Sequence, residues 1–304
     1  MIKFLKYHEI DFEKYTQCLE NSEQYKYCAT KQFLEITSNK NWDLLVKGDY
    51  EAVMPIPFSK KKGLKVVLNP KLCQQLGVFS AKDDKELNDK FLSFLKENFI
   101  VWYYAFNEHN AFSESLMKRN NYIIFSDSYQ NVRQKYSPKR KRKLRQDDWV
   151  KDQSQQKDLD FITASTFIKD NIKGHENEKG MEGFLDIFRR FYEKKLIKFP
   201  AFILNGEVIN LLAIYEDQST VALLGTFNKP ETIKLAGSSV LIDKAIENCI
   251  EDKIFDFEGS DLPNVKEFFK GFRPVEKKYA YIRNSKKKVI AKAIKLFSKG
   301  KNIF

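Results

Sequence analysis

The side chains best suited by type and spacing to do chemistry are two acids at the end of an apolar run: Asp256 and Glu258 in Ile254-Phe255-Asp256-Phe257-Glu258-Gly259-Ser260. Apolar and acidic residues alternate there and stop at a Gly-Ser pair, which predicts a strand delivering carboxylates to an edge or cleft. Carboxylates in such a place are expensive unless they have a partner or a job, so the same residues also read as a cap and ion-pair set closing a buried strand.

A second candidate is Lys234-Leu235-Ala236-Gly237-Ser238-Ser239, which follows a predicted strand (Thr220 to Thr226) and opens a predicted helix (Ser238 to Glu251). Free N–H groups and the dipole at a helix start suit a phosphate or another anion, and glycine permits close approach to the backbone. Gly-Ser-Ser is also an ordinary helix cap.

The chain that must position these groups has 304 residues, enough for two cores, and its 42% hydrophobic content with 26 phenylalanines describes a folded protein. Charges interrupt every apolar run short of a membrane span. Glu9 and Asp11 cut the amino-terminal stretch, which is not read as a secretory signal. Cys18, Cys28, Cys73 and Cys249 lack metal spacing and the density of a disulfide framework, and His8, His109 and His175 lie far apart. The expectation is a cytoplasmic protein with reduced cysteines and no metal site.

The net charge of +12 is concentrated. Ser128 to Gln146 carries eight basic residues and no acid, and Arg283 to Phe304 carries eight more; with those set aside, 37 of the 53 basic residues face 41 acidic ones. Two segments own the positive field.

Periodicity predicts helices over residues 12 to 37, then a hairpin of Trp42 to Lys47 and Tyr50 to Pro55 about Gly48-Asp49, and a strand from Leu64 to Leu68. Gln74 and Gln75 sit in a polar, turn-rich stretch that reads more readily as a solvated loop than as cleft lining. Helix, strand, helix and strand follow at Asp84–Asn98, Ile100–Phe106, Phe112–Arg119 and Tyr122–Val132. The later chain repeats this course: hairpin strands Phe199–Leu204 and Glu207–Tyr215 about Asn205-Gly206, a third strand, the helix from Ser238, the strand Ile254–Glu258, a helix Val265–Gly271 and a strand Val275–Arg283. Two helices, about Leu159–Asn171 and Met181–Lys195, lie between. The order of elements repeats although the residues scarcely do, which predicts two copies of one mixed α/β unit. Where the second copy has Phe255, Asp256 and Glu258, the first has Tyr103, Tyr104 and Phe106, so the acids mark the second copy as the place for chemistry.

The loop at Lys234 to Ser239 is similar to a degenerate pyrophosphate loop of GNAT acetyltransferases, with lysine at its first position and serine at its last. Together with the duplicated unit, the entry Asn131-Val132-Arg133-Gln134-Lys135-Tyr136-Ser137-Pro138 and the run from Asp256 through Phe268-Phe269-Lys270-Gly271-Phe272 to Tyr279, the chain resembles the FemAB-like family of tandem GNAT-fold proteins. The resemblance implies two tandem GNAT-like domains, the first abbreviated (1–128), the second (129–284) with inserted helices, and a basic tail (285–304). It further implies transfer of an activated acyl group, from acyl-CoA or aminoacyl-tRNA, to an amine acceptor such as a cell-wall or lipid precursor. Glu258 or Asp256 would accept the proton of the attacking amine, Tyr279 would hydrogen-bond the leaving group, and Lys234, Gly237, Ser238 and Ser239 would hold the donor's phosphates.

In the first basic segment Lys139, Arg140, Arg142 and Arg145 suit RNA or another phosphate ligand, or form a solvated helix. In the tail Val289, Ile290, Ala293, Ile294 and Phe297 share one helical face against lysines. That pattern fits an anionic membrane contact through Lys288, Lys292, Lys295 and Phe297, or a helix docked on the protein itself. A binding module without catalysis, using both basic segments on lipid or RNA, is the alternative to the transferase.

Overall fold

The computed structural model describes residues 1–61, 63–172, 178–260 and 262–298. His175 lies outside them, and the side chain of Phe297 is likewise not among those described. The chain forms two compact units, Met1–Arg119 with Lys278–Phe304, and Asn120–Lys277.

The first unit contains, in order, β1 (Ile2–Leu5), α1 (Phe12–Glu20), α2 (Lys31–Ser38), β2 (Trp42–Lys47), β3 (Ala52–Lys61), β4 (Leu64–Leu68), β5 (Phe79–Ser80), α3 (Lys85–Asn98), β6 (Val101–Ala105) and the start of β7 (Met117–Ile124). Each helix begins at a side chain that satisfies its free N–H groups: Asp11 for α1, Thr30 for α2, Asp84 for α3. An antiparallel meander runs β1-β2-β3-β4, with Phe4 against Leu45 and Trp42 against Pro57. The chain then crosses over through α3 so that β6 pairs parallel with β4. Trp42, Tyr15, Phe33 and Phe91 are buried in its core.

The second unit contains the rest of β7, α4 (Tyr129–Lys135), α5 (Pro138–Arg145), α6 (Asp148–Gln153), β8 (Ser154–Asp158), α7 (Phe161–Asn171), α8 (Glu178–Glu193), β9 (Ile197–Lys198), β10 (Pro200–Leu204), β11 (Glu207–Glu216), β12 (Thr220–Asn228), α9 (Gly237–Glu247), β13 (Ile254–Asp256), α10 (Pro263–Lys270) and the start of β14 (Val275–Arg283). Helix α11 (Lys286–Ser298) follows in the first unit. Strands run β8-β10-β11-β12-β13-β7. The β10–β11 turn is made by Asn205 and Gly206 at φ +50° and +81°, the two positive values that such a hairpin needs. β12 and β13 are parallel, joined through α9.

The closing strands are exchanged. β7 follows the first unit's elements yet pairs with β13 of the second, with Ile124 against Phe255. β14 ends the second unit's elements yet pairs with β6 of the first, with Ile282 against Tyr104. Element order alone sets 122–132 and 275–283 each in its own copy, and the hydrogen bonding corrects that. Residues 112–119, expected as a helix, are irregular and then become β7, while 129–135 are helical. Strand β8, Ser154-Gln155-Gln156-Lys157-Asp158, has no hydrophobic pattern and was not expected as a strand. Five register pairs with β10 hold it, from Ser154 against Leu204 to Asp158 against Pro200.

Among the described residues no helix is long and apolar enough to cross a membrane, and no group of three or more His, Cys, Asp or Glu side chains is arranged to hold a metal ion.

Candidate active site

The second unit opens where β12 and β13 part. β13 pairs with β12 only at Thr220–Ile254, Val221–Phe255 and Ala222–Asp256, whereas β12 stays bonded to β11 as far as Asn228. Continued in register, Glu258 would face Leu224. Instead the Phe257 N–H donates to Tyr122 O at 2.9 Å on the other side, and Glu258 and Gly259 both take left-handed backbone, φ +64° and +78°. For glutamate that conformation costs of order 1–3 kcal/mol, so the surroundings must impose it.

Those surroundings are visible. Asp256 is fully buried; its Oδ1 accepts the Glu258 N–H at 2.8 Å and its Oδ2 accepts Asn121 Nδ2 at 3.3 Å. Phe257 is locked against Phe255, Phe269 and Phe272, with ring centroids 4.9, 4.9 and 5.5 Å away. The strand is thus turned out of the sheet by an acid acting on the backbone and by an aromatic cluster. Leu224, Gly225 and Thr226 remain half-buried along the β12 edge. A sheet edge freed in this way can present its backbone N–H and C=O groups to an extended ligand.

The start of α9 is closed by the protein's own groups. Ala236 turns the chain with φ +61°, and Gly237 is buried so tightly that a Cβ there would stand 1.9 Å from Asn210 Oδ1. Glycine is therefore required by packing against Asn210. The Ser238 hydroxyl bonds Asn228 Oδ1, which also accepts Asn210 Nδ2 at 2.7 Å. The Ser239 hydroxyl accepts from Arg140 Nη1. Lys234 stands exposed at the end of the preceding turn, apart from the other three.

Arg140 faces inward, which removes it from the exposed row that the basic segment suggests. It is 5% exposed and lies in the corner formed by the rings of Phe268 and Phe272, 4.3 and 4.2 Å from their centroids, and its Nη2 donates to Phe268 O at 2.7 Å. Burial lowers its pKa to about 10, with Tyr136 and Asp243 acting in the opposite direction, so it stays charged at neutral pH. Gly271 makes the room: a Cβ there would lie 3.0 Å from both Nε and Nη2. One turn along α9 from Ser239, Asp243 accepts the Tyr129 hydroxyl at 3.0 Å, and burial raises its carboxyl above the usual range. Lys139, Arg142 and Arg145 are exposed. The signal for Arg140 in the sequence was the spacing Phe268-x-x-Gly271-Phe272, which offers two rings and a gap between them.

Tyr279 is buried on β14 and belongs to the first unit, whereas Asp256 and Glu258 belong to the second. The tail helix α11 packs Val289, Ala293 and Leu296 on Val66 and Ile100, and Lys292 Nζ donates to Glu97 O at 2.7 Å. Lys288 and Lys295 are exposed.

The first unit has a matching parallel pair, β4 and β6, but its own chain fills the opening. Asn69 N–H bonds Tyr103 O, Asn69 Oδ1 accepts the Ala105 N–H, and the Leu76 N–H bonds Ala105 O at 2.9 Å. Gly77 donates to the Tyr104 hydroxyl and has no room for a Cβ, which would lie 2.2 Å from Asn110 Oδ1. Gln75, expected in a solvated loop, is fully buried and accepts the Glu108 N–H at 2.9 Å. Polar side chains in that stretch serve as plugs for backbone groups.

No protein-family model matches the sequence, and no curated protein does. Solved structures do. FemX matches 91% of this chain and 96% of its own with a TM-score of 0.63 at 10% identity. L-PGS from Bacillus licheniformis matches 93% of this chain and 96% of its own, with a TM-score of 0.53 at 14% identity. A tandem GNAT protein from the clavulanic acid biosynthesis pathway matches 92% and 97%, with a TM-score of 0.50 at 8% identity. At these identities the likeness is one of architecture, and it extends over both units and over nearly the whole of each neighbour. The chain therefore has the tandem GNAT fold of these neighbours.

Proposed function

We propose that the protein transfers an activated acyl or aminoacyl group to an amine, in the opening of the second unit. The observation that carries this reading is the parting of β12 from β13 after three residue pairs, with Glu258 held in left-handed backbone at the open end. The open β12 edge would donate backbone N–H groups to the donor carbonyl as it becomes an oxyanion. Glu258 would take the proton of the attacking amine, directly or through water, and Asp256, engaged with the Glu258 N–H and Asn121, would fix that turn rather than react. The acceptor is an amine-bearing cell-wall or lipid precursor met in the cytoplasm, and the donor an acyl-CoA or an aminoacyl-tRNA. Offering both donor classes to the purified protein, with Glu258→Gln as control, tests it: transfer that the variant loses supports the reading, and neither transfer nor donor binding overturns it.

One observation favours a second reading, a binding module without catalysis. The Ser238 and Ser239 hydroxyls and the space over Gly237 are already occupied by Asn228, Arg140 and Asn210. A melting temperature raised alike by uncharged RNA and by charged tRNA, with no transfer from either donor, would favour it, since a ligand of the native state stabilises it by mass action.

A further inference from the structure

Docking of α11 fixes which of its faces is outside. With Val289, Ala293 and Leu296 against the body of the first unit, Ile290 and Ile294 are left 60% and 64% exposed, one turn apart on an outer flank of the helix. Lys286, Lys287 and Lys295 are exposed with them, and from Lys277 onward the sequence has no acid at all. Beside the helix lies a cavity of about 430 Å³ whose cations include Arg283, Lys288 and Lys292 and whose floor includes Phe99, Leu116 and Val289. Its acid, Glu114, is already paired with Lys96.

We propose that this face of the first unit docks on an anionic phospholipid bilayer, with Ile290 and Ile294 entering the interface and the lysines of α11 meeting lipid phosphates. The two isoleucines decide between partners that would all welcome the positive charge. A polynucleotide gains nothing from two bare aliphatic side chains, and a second copy of this face would bring lysines against lysines. A bilayer interface rewards both the apolar pair and the lysines around it. The surface is independent of the transfer chemistry, and its failure would leave the transfer reading untouched.

The test is co-sedimentation of the full chain with vesicles of phosphatidylcholine alone or mixed with phosphatidylglycerol, at low and high salt. Binding to the anionic vesicles only, weakened by salt, is expected. Ile290→Ser with Ile294→Ser should lower that binding about tenfold or more with an unchanged melting curve, because both side chains are exposed. Lys286→Gln, Lys287→Gln and Lys295→Gln together should lower it similarly. Equal binding to neutral vesicles, full binding by the isoleucine variant, or displacement from vesicles by free glycerol phosphate would overturn the proposal. So would tight RNA binding with no vesicle binding.

Discussion

Arg140 on α5 donates through Nη1 to the hydroxyl of Ser239 in the first turn of α9, placing a buried guanidinium at the positive end of a helix. That end ordinarily favours anions, so the charge must be stabilised otherwise, and the adjoining rings of Phe268 and Phe272, both within 4.3 Å, do this. The contact ties the basic segment, the helix start and the aromatic cluster behind Asp256 into one packed body.

Arg140→Ala should therefore destabilise the protein by about 3 kcal/mol, since it removes two desolvated cation–π contacts and leaves buried acceptors unmet. Arg140→Lys should cost about 2 kcal/mol, because a single ammonium cannot reproduce the forked donation from Nη1 to Ser239 and from Nη2 to Phe268 O while keeping both ring contacts. Urea unfolding of the two variants checks this. Losses below about 0.5 kcal/mol would mean that the guanidinium is solvated.

Gly237→Ala should cost about 2 kcal/mol or more, because the new methyl group lands 1.9 Å from Asn210 Oδ1. The penalty should shrink in an Asn210→Gly background. A double-mutant cycle reads the coupling directly, and simple additivity would contradict the packing account.

Glu258→Gly should stabilise the fold by up to about 1 kcal/mol, because glycine takes the left-handed backbone without strain. The same change should abolish transfer, whereas Glu258→Gln should keep the stability and lower transfer by roughly 10²- to 10⁴-fold. Thermal melts and transfer rates on the two variants separate strain from chemistry. A Gln variant at full rate would remove Glu258 from the proton path.

Asp243 gives a pH signature. Burial raises its folded pKa above 3.8, while the Tyr129 and Tyr136 hydroxyls and Arg133 draw it down. A raised acid holds its proton more tightly when folded, so the stability it contributes is present below pH 3.8 and is lost as pH rises through the folded value. Asp243→Asn should gain on the wild type as pH rises through that window and then run parallel to it. A gap that stays flat on both sides of pH 3.8 would show that the group is not shifted.

Local patterns in the sequence determined a good deal of this protein. Asn205-Gly206 fixed a hairpin because the backbone it needs is one few other pairs adopt, and the apolar–acidic alternation located β13, although the strand stops at Asp256, two residues before the alternation does. The repeated order of elements gave the tandem fold. What the tertiary structure decided depends on partners far apart in the chain. Strand patterns carry no label for their neighbour, so the exchange of β7 and β14 between units followed only from pairing with β13 and β6. Charge has no direction in a sequence either: Lys139, Arg140 and Arg142 read alike until Phe268, Gly271 and Phe272, more than a hundred residues on, enclose one of them. The fate of the two openings was decided in the same way. The second unit's β12 and β13 part because Asp256 and the aromatic cluster turn the chain away, whereas Asn69, Leu76 and Gly77 fill the space beyond β4 and β6.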